Sequence, residues 1–300
     1  MDSMTVGFLE GFEKVFASID LLSIPEQRAT IKEMFRVPEN QLELVGKVED
    51  RVISGRHGPI NLRLFSPKRE GVLPVIVYFH RGGWVYGSIE ESEGICRRFA
   101  NATGAVVVAV EYRLSPEYKF PIPLEDCYDA LKWIVENMDS SKVIVCGESA
   151  GGNLAAAVAL MLRQTKEFSV SGQLLIYPVL TSDLEKKRYD DSPDKSLLTY
   201  ENMQFFWDMY LTSSVDGENP FASPLKSKNF VNLPPCFIIT AEHDALKREG
   251  TCYGEALQMA GVTVQVKNYP GVIHGFLDLP LADSLKNEAI KDVAAWVKRL

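Results

Sequence analysis

Val143-Ile144-Val145-Cys146-Gly147-Glu148-Ser149-Ala150-Gly151-Gly152 is an apolar run that leads straight into a Gly-x-Ser-x-Gly turn, and an Ala/Leu-rich helical stretch follows it. The glycines permit a sharp strand-to-helix turn that lifts the serine hydroxyl above a sheet, at a helix N-terminus. The pentapeptide alone is weak. At ordinary glycine and serine frequencies a chain of 300 residues shows it by chance roughly 0.1 times. The strand before it and the helix after it make the reading specific.

Outward from this turn the chain alternates. Strand-like runs occur at 75–79, 106–110, 143–146, 173–177, 236–240 and 262–266, with helical spacing between them. One helical set is Leu124, Cys127, Leu131 and Ile134; the last is Leu285, Ala289, Val293, Trp296 and Leu300. Fully apolar strands separated by amphipathic helices predict an α/β domain, with a mostly parallel sheet covered on both faces. Ahead of it, residues 43–66 change period and suggest a hairpin turning near His57-Gly58-Pro59. The N-terminal segment reads as two helices. Phe8, Phe12, Val15, Phe16 and Ile19 mark the first; Ser23, followed by Pro25 and Glu26, looks like the capped start of the second, which continues through Ile31, Met34 and Phe35. Residues 181–215 break the alternation. They begin polar (Ser182 to Arg188) and turn aromatic at Phe205, Phe206, Trp207 and Tyr210, the pattern of a lid or cap.

A serine hydroxyl is a poor nucleophile until a base takes its proton, so a histidine is required. The chain has four. His57 falls in the polar hairpin, His80 at the end of a strand before a glycine pair, and His243 directly before Asp244. His274, in Pro270-Gly271-Val272-Ile273-His274-Gly275-Phe276, lies after the last strand and before the final helix, where the chain order Ser…Asp/Glu…His needs its base. The acid that orients it belongs at a strand end between Ser149 and His274. Asp244 fits best, with Glu242 two residues earlier as the alternative. The third need is a set of N–H donors facing the developing oxyanion. Strand 75–79 runs into His80-Arg81-Gly82-Gly83-Trp84, so the N–H groups of Gly82, Gly83 and Ala150 are the expected donors.

Composition narrows the partners. A net charge of −8 repels phosphate backbones and offers anionic lipid no polybasic attraction, which excludes nucleic acid and membrane surfaces. Cys96, Cys127, Cys146, Cys236 and Cys252 are odd in number and scattered, so neither a disulfide framework nor a metal site is expected. Asp2, Glu10 and Glu13 stand where a signal peptide needs a basic start, and an apolar run such as 105–110 is too short to span a bilayer. A reduced, cytoplasmic location is the expectation.

Five ordered motifs together resemble the hormonesensitive-lipase-like (group IV) carboxylesterases of the α/β-hydrolase fold: His80 to Trp84, Glu111-Tyr112-Arg113-Leu114-Ser115-Pro116-Glu117, Phe120-Pro121, Gly147 to Gly152, and Ala241 to Asp244. The similarity covers roughly residues 40–300. It implies cleavage of short- to medium-chain acyl esters of small molecules, without any cofactor, and homodimers as a family-level expectation. It also implies a two-part cap, from the helices of 1–40 and from 181–215, over a catalytic domain of 41–180 and 216–300. Two departures stand out: Arg81 replaces a family glycine, and Glu148 replaces the commoner aspartate. An uncompensated Arg81 charge would lower the pKa of His274 and extend activity to acid pH; pairing with Glu148 or another carboxylate would cancel that field. The rival readings are an amidase, thioesterase or peptidase with the same triad, and a non-catalytic ligand binder.

Overall fold

The computed structural model describes residues 7, 9, 11, 19, 21–192, 198–279 and 283–300. Phe8, Phe12, Val15 and Phe16, expected on the first helix, lie outside the described residues; Leu9 and Ile19 are helical and buried. The second helix starts where expected. α1 (Ile24–Phe35) is capped by Ser23, whose N–H and hydroxyl both donate to the Glu26 carboxylate, at 2.9 and 2.6 Å.

Among the described residues, eight strands form one sheet: β1 (Lys47–Gly55), β2 (Gly58–Ser66), β3 (Val75–Phe79), β4 (Val106–Glu111), β5 (Val143–Glu148), β6 (Gly172–Ile176), β7 (Cys236–His243) and β8 (Val264–Ile273). Their spatial order is β1-β2-β4-β3-β5-β6-β7-β8. β1 and β2 are the expected hairpin, antiparallel, and β2 joins β4 antiparallel; every other pairing is parallel.

Each central strand alternates between two cores. Val75, Val77 and Phe79 of β3 face one, while Ile76 and Tyr78 face the other. On the first side lie α3 (Ile122–Asn137), α4 (Ala150–Thr165) and α7 (Lys247–Met259); on the second lie α2 (Ile89–Thr103) and α8 (Asp283–Arg299). Strands so enclosed cannot show a polar face, which is why they read as unbroken apolar runs. The insertion supplies α5 (Lys186–Asp190) and α6 (Tyr200–Tyr210), whose Met203, Trp207 and Tyr210 are buried in the first core.

The last strand differs from its expected range of 262–266. It begins at Val264 and runs to Ile273, so Pro270-Gly271-Val272-Ile273 is strand rather than loop. A bulge in β8 itself makes this workable, the stretch from Tyr269 to Ile273 spanning only Ala241 to His243 of β7. The β7–β8 register shifts between Ala241 and His243, and the Glu242 carboxylate accepts the Gly271 N–H at 2.7 Å. His274 is thereby the first residue past the strand end.

Candidate active site

β5 ends at Glu148 and α4 begins at Ala150, leaving Ser149 alone at the turn, with φ 53° and ψ −115°. Such a conformation costs energy and persists only where its surroundings hold it. Here the Ser149 N–H donates to the Ile176 carbonyl at 2.9 Å. The flanking glycines are needed for closeness. A Cβ on Gly147 would lie 2.1 Å from the Gly151 oxygen, and one on Gly151 would lie 2.0 Å from the Phe79 oxygen.

Three strand ends converge on this serine. His274 Nε2 is 2.9 Å from Ser149 Oγ, and His274 Nδ1 is 2.8 Å from Asp244 Oδ2. The other oxygen, Asp244 Oδ1, accepts the Leu246 N–H at 2.8 Å, so the carboxylate cannot swing away. All three residues are buried. The Tyr177 ring packs edge-on to the imidazole, 4.9 Å between centroids, and limits its rotation. Glu242, the alternative acid, is half exposed and serves the β7–β8 bulge instead.

The other histidines stand elsewhere. His57 is exposed at the hairpin turn and bonded to Glu125. His243 faces Glu242 at 3.9 Å. His80 is buried, stacked on Tyr112 at 4.1 Å, with Nδ1 2.8 Å from the Arg81 carbonyl. Burial, with the Arg81 charge adding to it, pushes its pKa down to about 4, so it is neutral at pH 7. Its role is to shape the loop that follows.

In that loop Gly82 (φ 116°) and Gly83 (φ 61°) make a tight turn, closed by the Val85 and Tyr86 N–H groups donating to the Gly82 carbonyl at 3.1 and 2.8 Å. Trp84 then anchors it, stacked on Tyr210 at 4.2 Å and leaning on Trp207 at 4.7 Å. The insertion therefore packs on the glycine loop, and Phe206 covers Gly83 so closely that a Cβ there would meet its ring at 2.2 Å. Ala150 is the first residue of α4, so its N–H has no acceptor within the helix.

Ser149, His274, Gly82 and Gly83 line one cavity of about 380 Å³. Its walls are largely apolar: Ile19, Ile31, Phe35, Leu198, Phe205, Phe206 and Leu279. Phe205 and Phe206 thus line the site as expected, while Phe8, Phe12 and Phe16 lie outside the described residues.

Arg81 needs a correction. Its charge is not uncompensated: Nε donates to Asp278 Oδ2 at 3.0 Å, and the guanidinium lies over the Phe35 ring at 4.7 Å. An ion pair this close removes most of the field that Arg81 would project onto His274. The counter-ion is Asp278 rather than Glu148. Glu148 is fully buried and accepts the Tyr177 hydroxyl at 2.8 Å; burial, with the Asp278 carboxylate adding to it, raises its pKa well above the usual range. Sequence reasoning missed both Tyr177 and Asp278, because neither carries a motif and each acts through a contact across the fold. Among the described residues no cluster of His, Cys, Asp and Glu has the arrangement of a metal site, and no helix is long and apolar enough to cross a membrane.

Comparison with known proteins identifies the family. The model of a family described as having the α/β-hydrolase fold matches residues 76–278. Carboxylesterase NlhH of Mycobacterium tuberculosis is 33% identical over all of this chain and 96% of its own length. The arylesterase of Saccharolobus solfataricus is 33% identical over 79% of each chain. Among solved structures, a hyperthermophilic esterase from Pyrobaculum calidifontis superposes with a TM-score of 0.89 at 39% identity, covering 97% of both chains. The chain belongs to the α/β-hydrolase fold family, in its hormone-sensitive-lipase-like carboxylesterase branch.

Proposed function

We propose that this protein is a serine carboxylesterase that cleaves short- to medium-chain acyl esters through an acyl-enzyme on Ser149. The observation that carries the reading is the continuous hydrogen-bonded line Ser149–His274–Asp244, at 2.9 and 2.8 Å, opening into an apolar cavity. His274 Nε2 takes the Ser149 proton as Oγ attacks the ester carbonyl, and Asp244 stabilises the imidazolium that forms. The Gly82, Gly83 and Ala150 N–H groups receive the oxyanion. As the tetrahedral intermediate collapses, the C–O bond to the alcohol breaks and His274 returns the proton to the leaving oxygen. Water, activated by the same imidazole, then releases the acid and restores Ser149. No step needs a cofactor.

The helices of 1–40 and 181–215 act as a cap over residues 41–180 and 216–300, since Ile19, Ile31, Phe35, Phe205 and Phe206 wall the cavity from those segments. A pocket near 380 Å³ suits short to medium acyl chains. Five free thiols suit a reducing, cytoplasmic compartment. The test joins labelling and turnover. A fluorophosphonate should label wild type and not Ser149→Ala, and p-nitrophenyl esters from two to sixteen carbons should show a maximum below ten. Labelling that survives Ser149→Ala would overturn the assignment.

A further inference from the structure

Arg81 stands on the oxyanion loop and lines the same cavity as Ser149 and His274. A guanidinium has five N–H donors in a rigid plane. One, on Nε, is taken by Asp278, and Phe35 covers a face of the plane. Among the described residues the two Nη groups meet no hydrogen-bond acceptor, although the side chain is only 18% exposed. A donor pair held in an apolar cavity without an acceptor is costly unless a ligand or water supplies one. Its plane is held by the Phe35 ring on one face and by the Asp278 bond at Nε, so the direction of donation is set before anything binds.

The charge around it decides what kind of oxygen fits. Asp278 already balances the guanidinium, and the residues Glu91 and Glu201, the latter paired with Lys186, line the same cavity. An entering carboxylate would lose its hydration and find no net positive charge in return. A neutral carbonyl needs only the donors. Resting on the esterase reading above, we infer that the cavity selects esters carrying a second, neutral carbonyl oxygen, a keto group or another ester, which accepts from the Arg81 Nη groups. A hydrogen-bonding site discriminates against analogues that lack the acceptor more strongly than an apolar pocket discriminates by size.

The test compares matched substrates, each rate divided by its alkaline hydrolysis rate to remove intrinsic reactivity. On the acyl side, p-nitrophenyl 4-oxopentanoate and 5-oxohexanoate are set against the pentanoate and hexanoate; on the alcohol side, 3-oxobutyl acetate against butyl acetate. Wild type should favour the keto member of at least one pair by about tenfold or more in kcat/KM. It should show no such preference for the p-nitrophenyl monoester of succinic acid. In Arg81→Met the keto preference should collapse to about one or below. Because both members of a pair depend on the same triad, a general disturbance of the site cannot produce that collapse. If Arg81→Met misfolds over the stranded Asp278, Arg81→Met/Asp278→Asn carries the same comparison. Equal rates for keto and alkyl members in wild type, or a preference for the succinate monoester, would overturn the inference and leave the esterase reading intact. Hydrolysis of no ester at all would overturn both.

Discussion

Ser149, His274 and Asp244 were legible in the sequence because each sits beside a marker: a glycine-flanked turn, a Gly-x-x-His-Gly run that closes the last strand, and an acidic strand end. Ser149→Ala should cut kcat at least about a thousandfold with an unchanged circular dichroism spectrum. Asp244→Asn should cost less, about a hundred- to ten-thousandfold, since the imidazole loses its orientation and not its nitrogen; Glu242→Gln should stay within about threefold. A Ser149→Ala enzyme keeping a tenth of wild-type kcat would refute the assignment. Arg81 was legible as a departure but not as a pair, because Asp278 lies 197 residues away with nothing local to announce it. Glu111 offers a test through pH. Its carboxylate accepts the Ile89 N–H at 2.8 Å, yet burial raises its pKa from 4.5 to about 7. The folded state therefore holds this proton more tightly than the unfolded chain does. Its contribution is fully present below about pH 4.5 and is lost as pH rises towards 7, by about 3 kcal/mol at most. Glu111→Gln should raise Tm by a few degrees at pH 8 and leave it nearly unchanged at pH 4, read by thermal unfolding; equal shifts at both pH values would contradict this origin.

At the level of elements, the alternation of apolar runs and amphipathic helices made the sheet readable, since buried parallel strands carry their signature in composition. The extension of β8 to Ile273 was hidden. Pro270 and Gly271 look like a turn, and they stay within the strand as a bulge of β8 opposite Glu242, whose carboxylate takes the Gly271 N–H. The attachment of α6 was hidden too, because stacking of Trp84 on Tyr210 joins residues 126 positions apart. That contact makes a prediction for the element. Tyr210→Ala should remove the ring under Trp84, destabilise the protein by about 3–5 kcal/mol in denaturant unfolding, and lower kcat by loosening the loop that carries Gly82 and Gly83. If stability fell while kcat held, the loop would be rigid without α6.

On the scale of the whole molecule, the cavity is walled from several segments at once: α1, α6, the loop after β3 and the turn after β8. Ile31 and Phe35 line the cavity from α1, so removing residues 1–35 should open it and shift the best p-nitrophenyl ester towards longer acyl chains. An unshifted optimum in a merely less stable protein would mean that these helices only hold the body together. The order in which the site is assembled has a consequence for biosynthesis. Ser149 leaves the ribosome early, at the end of a central strand, whereas His274 follows β8, which pairs at the far edge of the sheet. A nascent chain that has formed β3 to β6 carries the hydroxyl but not its base. It can bind no proton from the serine and so cannot acylate itself on passing esters. Competence appears in a single late event, when the final strand docks, so reaction with a phosphonate reports completed folding and not its intermediates.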